Sequence, residues 1–189
     1  HPRHCPHAAQ SGRQGDTLCR SWCGLPLASR IGHRLLVTLP SSLMHHFGSD
    51  EAQRRFWGLL DARVLELGDG RARLEIPVSL HWLNLNNAVH GGASAGWLDQ
   101  VAGLAANTLA TAEEVFVTAT AQLSYRRPFA PDDGPAQAEA EVTSRNGRKA
   151  FAYASIRDRH GTLTLEGEFV FILTARRAPL PQGASGKRD

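Results

Sequence analysis

The sequence predicts an α+β domain in which a strongly curved antiparallel sheet wraps a long central helix. A helix candidate from Gly91 to about Leu109 is apolar on nearly every side and dominated by Ala and Gly. Runs with alternating apolar and polar residues follow it, and a Gly-bounded hairpin precedes it. A helix without a polar face has to be covered all round, and a sheet curved about it provides that cover.

Each element has its own signal. Residues 50–60, DEAQRRFWGLL, read as one short helix opened by Ser49 as N-cap, with acids in its first turn. Two β-rich runs, Val64 to Leu67 and Ala72 to Val78, flank the turn Gly68-Asp69-Gly70. Ser79 to Val89 is an Asn-rich loop. Beyond the long helix, Val115, Val117, Ala119, Ala121, Leu123 and Tyr125 alternate with polar residues, as do Ala136, Ala138, Ala140 and Val142. Asn146-Gly147 reads as a two-residue hairpin turn into Arg148 to Arg157, and the turn Asp158 to Gly161 leads into Thr162 to Ile172. The strands after the helix are expected to form a long antiparallel meander.

The 189 residues suit one domain with tails: residues 49–175 folded, 1–48 a disordered extension and 176–189 a tail. The extension holds six of the nine histidines, a single acid, Asp16, and all three cysteines, Cys5, Cys19 and Cys23. Cys19 and Cys23 with His4 and His7 fit no strong zinc pattern, so neither a metal nor a disulfide framework is expected. The extension's Arg and Ser content resembles a mitochondrial transit peptide, but Arg outnumbers Lys nineteen to two across the whole chain. A cytoplasmic location is expected, with a mitochondrial one as the alternative.

The formal charge of +3 belongs to the tails, because Ser49 to Ala175 carry twelve basic and sixteen acidic residues, a net of −4. That part lacks the basic footprint of a protein that tracks phosphates, so no nucleic-acid partner is expected. The longest apolar run near the N-terminus, Leu35 to Leu39, is shorter than a signal-peptide core, and no membrane partner is expected.

Asp99 is the only charged residue between Gly91 and Ala112, on a face shared with Ala95, Gly96, Ala102 and Gly103. A carboxylate in an apolar helix is costly unless paired, and no cation lies within helical reach. It either serves chemistry, or hydrogen-bonds a neighbouring loop, or faces water. Gly91-Gly92 opens the same helix, leaving backbone N–H groups without helical partners and no Cβ to obstruct a ligand; such an end suits a developing oxyanion. His90 reads equally as an acid/base group or as a helix cap. Gly91 and Asp99 are eight residues apart, about 12 Å along the axis, so one chain's pair cannot grip one carbonyl. A symmetric dimer with Gly91 of one chain meeting Asp99 of the other resolves this.

The stretch NLNNAVHGGASAGWLD, Asn84 to Asp99, resembles the PaaI-like thioesterases of the hot-dog superfamily, related to 4-hydroxybenzoyl-CoA thioesterases: an Asn, five residues, His-Gly-Gly, then Asp seven residues after the second Gly. VTATAQLSYRRP, Val117 to Pro128, is similar to a further signature of that family. The resemblance covers about 50 to 173 and implies a hot-dog fold that hydrolyses an acyl- or aryl-CoA, without cofactor because CoA is part of the substrate. It implies that Asp99 is general base or nucleophile, that the Gly91 N–H polarises the thioester, and that Asn84 and Thr118 position water. It also implies coenzyme A contacts around Gly92, Tyr125, Arg126, Arg127, Arg145, Gly147, Arg148 and Lys149, and a homodimer able to pair into a tetramer. Exposed Arg on strand edges also guards against aggregation. Asn87 departs from the family's usual Gly, and Asn is the next-best residue at positive φ.

Two other functions compete. A hot-dog hydratase or dehydratase using His90 with Asp99 would leave the thioester intact, and a non-catalytic acyl-CoA-binding protein would bind without turnover. Trp82, Trp97 and Phe129 line an acyl pocket or pack in the core.

Overall fold

The computed structural model describes residues 49–177; the extension expected over 1–48 and residues 178–189 of the expected tail lie outside them. The described elements are α1 (Asp50–Gln53), α2 (Phe56–Leu60), β1 (Arg63–Gly68), β2 (Arg71–Ile76), α3 (Gly91–Asn107), β3 (Glu114–Tyr125), β4 (Ala136–Asn146), β5 (Lys149–Arg157) and β6 (Leu163–Ala175). The strands form one antiparallel sheet in the order β1-β2-β4-β5-β6-β3. The expected α+β arrangement is the one the chain adopts.

Alternation along the strands builds the core. Leu74 lies opposite Ala138, Ile76 opposite Ala136 and Ala72 opposite Ala140, all buried, so small side chains of β4 leave room for large neighbours on the concave face. Trp97, Leu98, Val101, Ala102 and Ala105 of α3 fill that face together with Ile156, Leu165, Phe169 and Phe171. Burying one side chain of Leu or Phe size contributes about 1.5–3 kcal/mol, so this continuous contact is what holds α3 against the sheet. Trp97 meets Trp82 and Phe129 edge-on, with ring centroids 5.6 and 6.5 Å away; Trp97 and Phe129 are core residues.

Four expectations change. The helix expected over 50–60 is two helices, because Arg55 is extended and the chain turns so tightly that a Cβ on Gly58 would lie 1.9 Å from the Gln53 carbonyl oxygen. The strands after α3 are not one meander. Only β4, β5 and β6 follow in order; β3 crosses to the far edge beside β6, and β4 pairs with β2. The turn at Asn146-Gly147 is offset by one residue: Asn146 pairs with Lys149, so Gly147-Arg148 form the loop, with φ +56° at Gly147. Glycine at the first central position suits a two-residue hairpin. Finally, α3 is not covered all round. Gly92 and Asp99 are exposed and Ala95, Gly96 and Gly103 half-buried, leaving a stripe of small residues open.

Candidate functional site

The N-terminus of α3 is held by three side chains. His90 is the N-cap, its Nδ1 accepting the Gly92 N–H at 3.0 Å. Its carbonyl accepts from Ala93 at 2.9 Å and Ser94 at 3.1 Å, and its own N–H donates to the Trp82 carbonyl at 2.7 Å. The hydroxyls of Tyr125 and Ser94 both donate to the Gly91 carbonyl, at 2.9 and 3.0 Å. Of the two glycine N–H groups expected to be free, Gly92's is therefore taken, and the Gly91 N–H alone has no partner among the described residues. It carries the positive end of the helix dipole.

His90 is a cap, one of the two roles open to it. Because Nδ1 accepts a hydrogen bond it bears no proton, so a neutral His90 holds its proton on Nε2, which has no partner among the described residues. It can donate into the site, but in this form it has no free basic nitrogen. That weakens the hydratase reading, which needs His90 as an acid/base group.

The loop before α3 is organised by Asn84. Its Oδ1 accepts from the Asn86 N–H at 2.8 Å and the Ala88 N–H at 3.2 Å, and its N–H donates to the Ala88 carbonyl at 2.8 Å. Asn87 has φ +56°, the left-handed conformation its departure from Gly requires. Asn84 thus staples the loop through its oxygen, while its Nδ2 donors have no partner among the described residues. A cleft is lined by Asn84, His90 and Gly91 together with Leu83, Leu85 and Asn86. Three of its lining residues, Asn84, His90 and Gly91, have a donor group with no partner among the described residues.

Asp99 lies two turns further on, exposed, and its Oδ1 accepts from the Thr118 hydroxyl at 2.7 Å. Its Oδ2 pairs with nothing among the described residues. A second cleft, of about 310 Å³, runs over Asp99, Gly103, Asn107, Phe116 and Thr118. Asn107, which the sequence did not single out, fixes this end: its amide donates to the Phe116 carbonyl at 3.2 Å and accepts the Phe116 N–H at 2.9 Å, tying α3 to β3. An amide among the small apolar residues at the end of the helix was the available signal. One chain therefore holds Asn84, His90, Gly91 and Tyr125 in one place and Asp99 with Thr118 in another, and does not bring the two sets together.

The basic residues divide the same way. Arg126 pairs with Glu166, which the Tyr153 hydroxyl also contacts; this hydroxyl and Arg126 hold the Glu166 carboxyl below the usual range against the opposing effect of burial. Burial and the neighbouring Glu166 push the Tyr153 hydroxyl up. Arg127 sits between Asp133 at 3.7 Å and buried Asp158 at 3.6 Å. Arg145 stacks 5.4 Å over Phe116 and donates to the carbonyls of Leu109 and Gly147, while Arg148 donates twice to the Leu173 carbonyl. Tyr125 is opposite Leu165 and Lys149 opposite Ile172, seven residues apart on β6 and so about 23 Å. The 125–127 group belongs to the Gly91 end and the 145–149 group to the Asp99 end. Among the described residues no group of three or more His, Cys, Asp or Glu could hold a metal ion, and no helix is long and apolar enough to cross a membrane.

The family model of the thioesterase superfamily matches residues 86–165. An inferred esterase of Archaeoglobus fulgidus is 40% identical over 67 residues, which span 34% of this chain and 44% of the relative, less than half its length. Among solved structures, a conserved protein from Pseudomonas aeruginosa superposes with TM-score 0.60 at 25% identity, over 71% of this chain and all of that one. A hypothetical thioesterase protein with coenzyme A from Streptococcus pneumoniae gives TM-score 0.57 at 20% identity, over 62% of this chain and 91% of that one. The Escherichia coli PaaI protein of the phenylacetic acid degradation operon gives 0.59 at 15%, over 69% and 89%. At such identities the last two share the fold.

Proposed function

We propose, from the thioesterase-superfamily match over residues 86–165 and the fold shared with the PaaI protein, that the domain is a thioesterase of that superfamily that hydrolyses an acyl- or aryl-CoA thioester to the free acid and CoA. The observation that carries this reading is the single unpaired N–H at the end of α3. The His90 N–H and carbonyl, the Gly91 carbonyl and the Gly92, Ala93 and Ser94 N–H groups around it are all held, so this one is oriented before substrate arrives, which is how an oxyanion donor is most effective. The coenzyme A bound by the Streptococcus pneumoniae protein of the same fold supports a CoA substrate here.

In the proposed reaction the thioester carbonyl oxygen accepts from the Gly91 N–H, with the Asn84 amide and the His90 Nε2–H lining the same cleft. Asp99 acts in one of two ways: it takes a proton from a water whose oxygen adds to the carbonyl carbon, or its carboxylate adds directly and water cleaves the resulting anhydride. Thr118 fixes the carboxylate in both. The C–S bond breaks, its electron pair leaves with sulfur, and the thiolate takes up a proton. The exposed basic residues at 126–127 and 145–149 supply charge complementary to the CoA phosphates.

Two chains complete the site. Strand β3 is the long edge of the sheet, exposed from Val117 to Gln122 on both faces; apart from the bulge between Thr118 and Thr120, that stretch carries neither the charge nor the proline that usually guards an edge. The opposite edge, β1, is short, charged and bulged. Antiparallel pairing of two β3 strands about a two-fold near Ala121 sets the Thr118 end of one chain against the Tyr125 end of the other, and with it Asp99 against Gly91.

The test is thiol release across aryl, short, medium and long acyl-CoAs. Asp99→Asn should lower kcat by about 10²–10⁴ with the thermal midpoint retained. An unchanged rate would remove Asp99 from the chemistry, and enoyl-CoA hydration without thiol release would establish the hydratase.

A further inference from the structure

We infer that Tyr125 is a positioning residue: it acts through the Gly91 carbonyl to hold the one free N–H of α3 on target, and is not a nucleotide contact. The inference rests on the hydrolase reading above. Tyr125 is the last residue of β3 and is 55% exposed, which by itself suggests a surface waiting for ligand. Its contacts point inward. The hydroxyl donates to the Gly91 carbonyl at 2.9 Å, and the ring lies 3.4 Å from the point a Cβ on Gly91 would occupy.

Gly91 needs such a restraint. Two glycines in a first helical turn have the widest backbone freedom of any pair, and the opening turn is where helices fray. Ser94 and His90 hold the Gly91–Gly92 peptide from within the helix or its cap, and the cap itself is tied only to the preceding loop, through the His90 N–H on the Trp82 carbonyl. Among the described residues, Tyr125 is the side chain from the sheet that reaches this peptide. It ties the turn to β3, and β3 also carries Thr118, the partner of Asp99. The donor and the carboxylate are thus registered to the same strand, and a small shift of such a donor is enough to slow a reaction considerably.

Tyr125→Phe keeps the ring and removes only the hydroxyl, from an exposed position where folding is not at risk. The measurements are kcat and KM by thiol release, and amide exchange over the first turn of α3 without substrate. The expected result is a fall in kcat of about ten-fold, KM within two-fold of wild type, and faster exchange at Gly91 to Ser94. With Ser94→Ala added, the loss should exceed the product of the two single losses, because both hydroxyls serve one acceptor. A several-fold rise in KM at unchanged kcat would make Tyr125 a ligand contact and overturn the inference. So would wild-type values for kcat and exchange alike. If the wild-type protein released no thiol from any substrate, the hydrolase reading would fail instead, and the exchange measurement would still decide whether Tyr125 clamps the turn.

Discussion

The Thr118 hydroxyl donates to Asp99 Oδ1 at 2.7 Å, joining the edge strand to the open stripe of α3. The bond lies beside the bulge between Thr118 and Thr120, where β3 loses register with β6. Bulges re-aim side chains, and here the irregularity falls at the residue that reaches the carboxylate.

Removing that hydroxyl should slow the reaction more than it destabilises the fold. A hydrogen bond to a charged group is worth about 1.5–3 kcal/mol, but both partners are exposed, so water replaces much of it in the resting protein. Thr118→Val is expected to lower kcat/KM about ten-fold or more with a thermal midpoint near wild type, and Thr118→Ser to restore most of the activity. Steady-state kinetics with a melting curve checks both, and equal rates for the Val and Ser variants would mean that the hydroxyl does not matter.

Gly91→Ala separates stability from activity. The glycine has no positive φ, and a Cβ there would meet the Tyr125 ring at 3.4–3.6 Å, ordinary contact. The backbone accepts alanine, and stability should hold or rise by up to about 1 kcal/mol through lost freedom of the unfolded chain. The same methyl crowds the approach of a carbonyl to the N–H. Calorimetry beside the thiol assay should show a melt at or above wild type with activity reduced at least ten-fold. A fully active Gly91→Ala would exclude close approach at this N–H.

The fold was legible because its strongest signals are local: period two in the strands, Gly and Asn at the turns, and one helix almost without charge. What was hidden depends on distance in sequence. Gly167 is an example. On β6 a Cβ there would lie 2.6 Å from the Leu123 side chain and 2.9 Å from the Gln122 carbonyl oxygen, so the β3–β6 approach requires glycine, yet nothing around it in sequence marks it. The crossing of β3 to the far edge is likewise fixed by which buried faces match, and alternation alone does not order strands. In the site, Asp99 and Gly91 stood out through charge and backbone freedom. The occupation of the Gly92 N–H by His90, and the ties made by Tyr125 and Asn107, are contacts between side chain and backbone that no spacing encodes.

Acid should loosen the turn between β5 and β6. Burial alone would raise the Asp158 carboxyl, but the backbone N–H groups of Thr162 and His160, the Thr162 side chain and Arg127 outweigh it and hold the group below its ordinary value. A folded-state value below the unfolded one, about 3.9, gives stability that is present above that pH and lost as pH falls toward the folded value. Glu166 is lowered too and adds to the same acid limb. Asp158→Asn should therefore melt earlier than wild type at neutral pH, with the gap narrowing below about pH 4. A gap that stays constant from pH 7 to pH 3 would assign the loss to geometry and not to charge.

Edge pairing along β3 makes the sharpest demand on assembly. If the two-fold lies near Ala121, that residue faces its own copy across a separation of about 5 Å, where like charges repel directly. In the isolated domain Ala121 is exposed, so a charge there has water available and little effect on folding. Ala121→Lys should shift the protein from dimer to monomer in sedimentation while its circular dichroism stays native, and thiol release should fall with the dimer, since Gly91 and Asp99 would no longer meet. Mixing Ala121→Lys with Ala121→Glu should restore both, because opposite charges then face each other. A dimer that persists in the lysine variant with full activity would place the contact elsewhere, and a fully active monomer would mean that one chain closes the distance between Gly91 and Asp99 on its own.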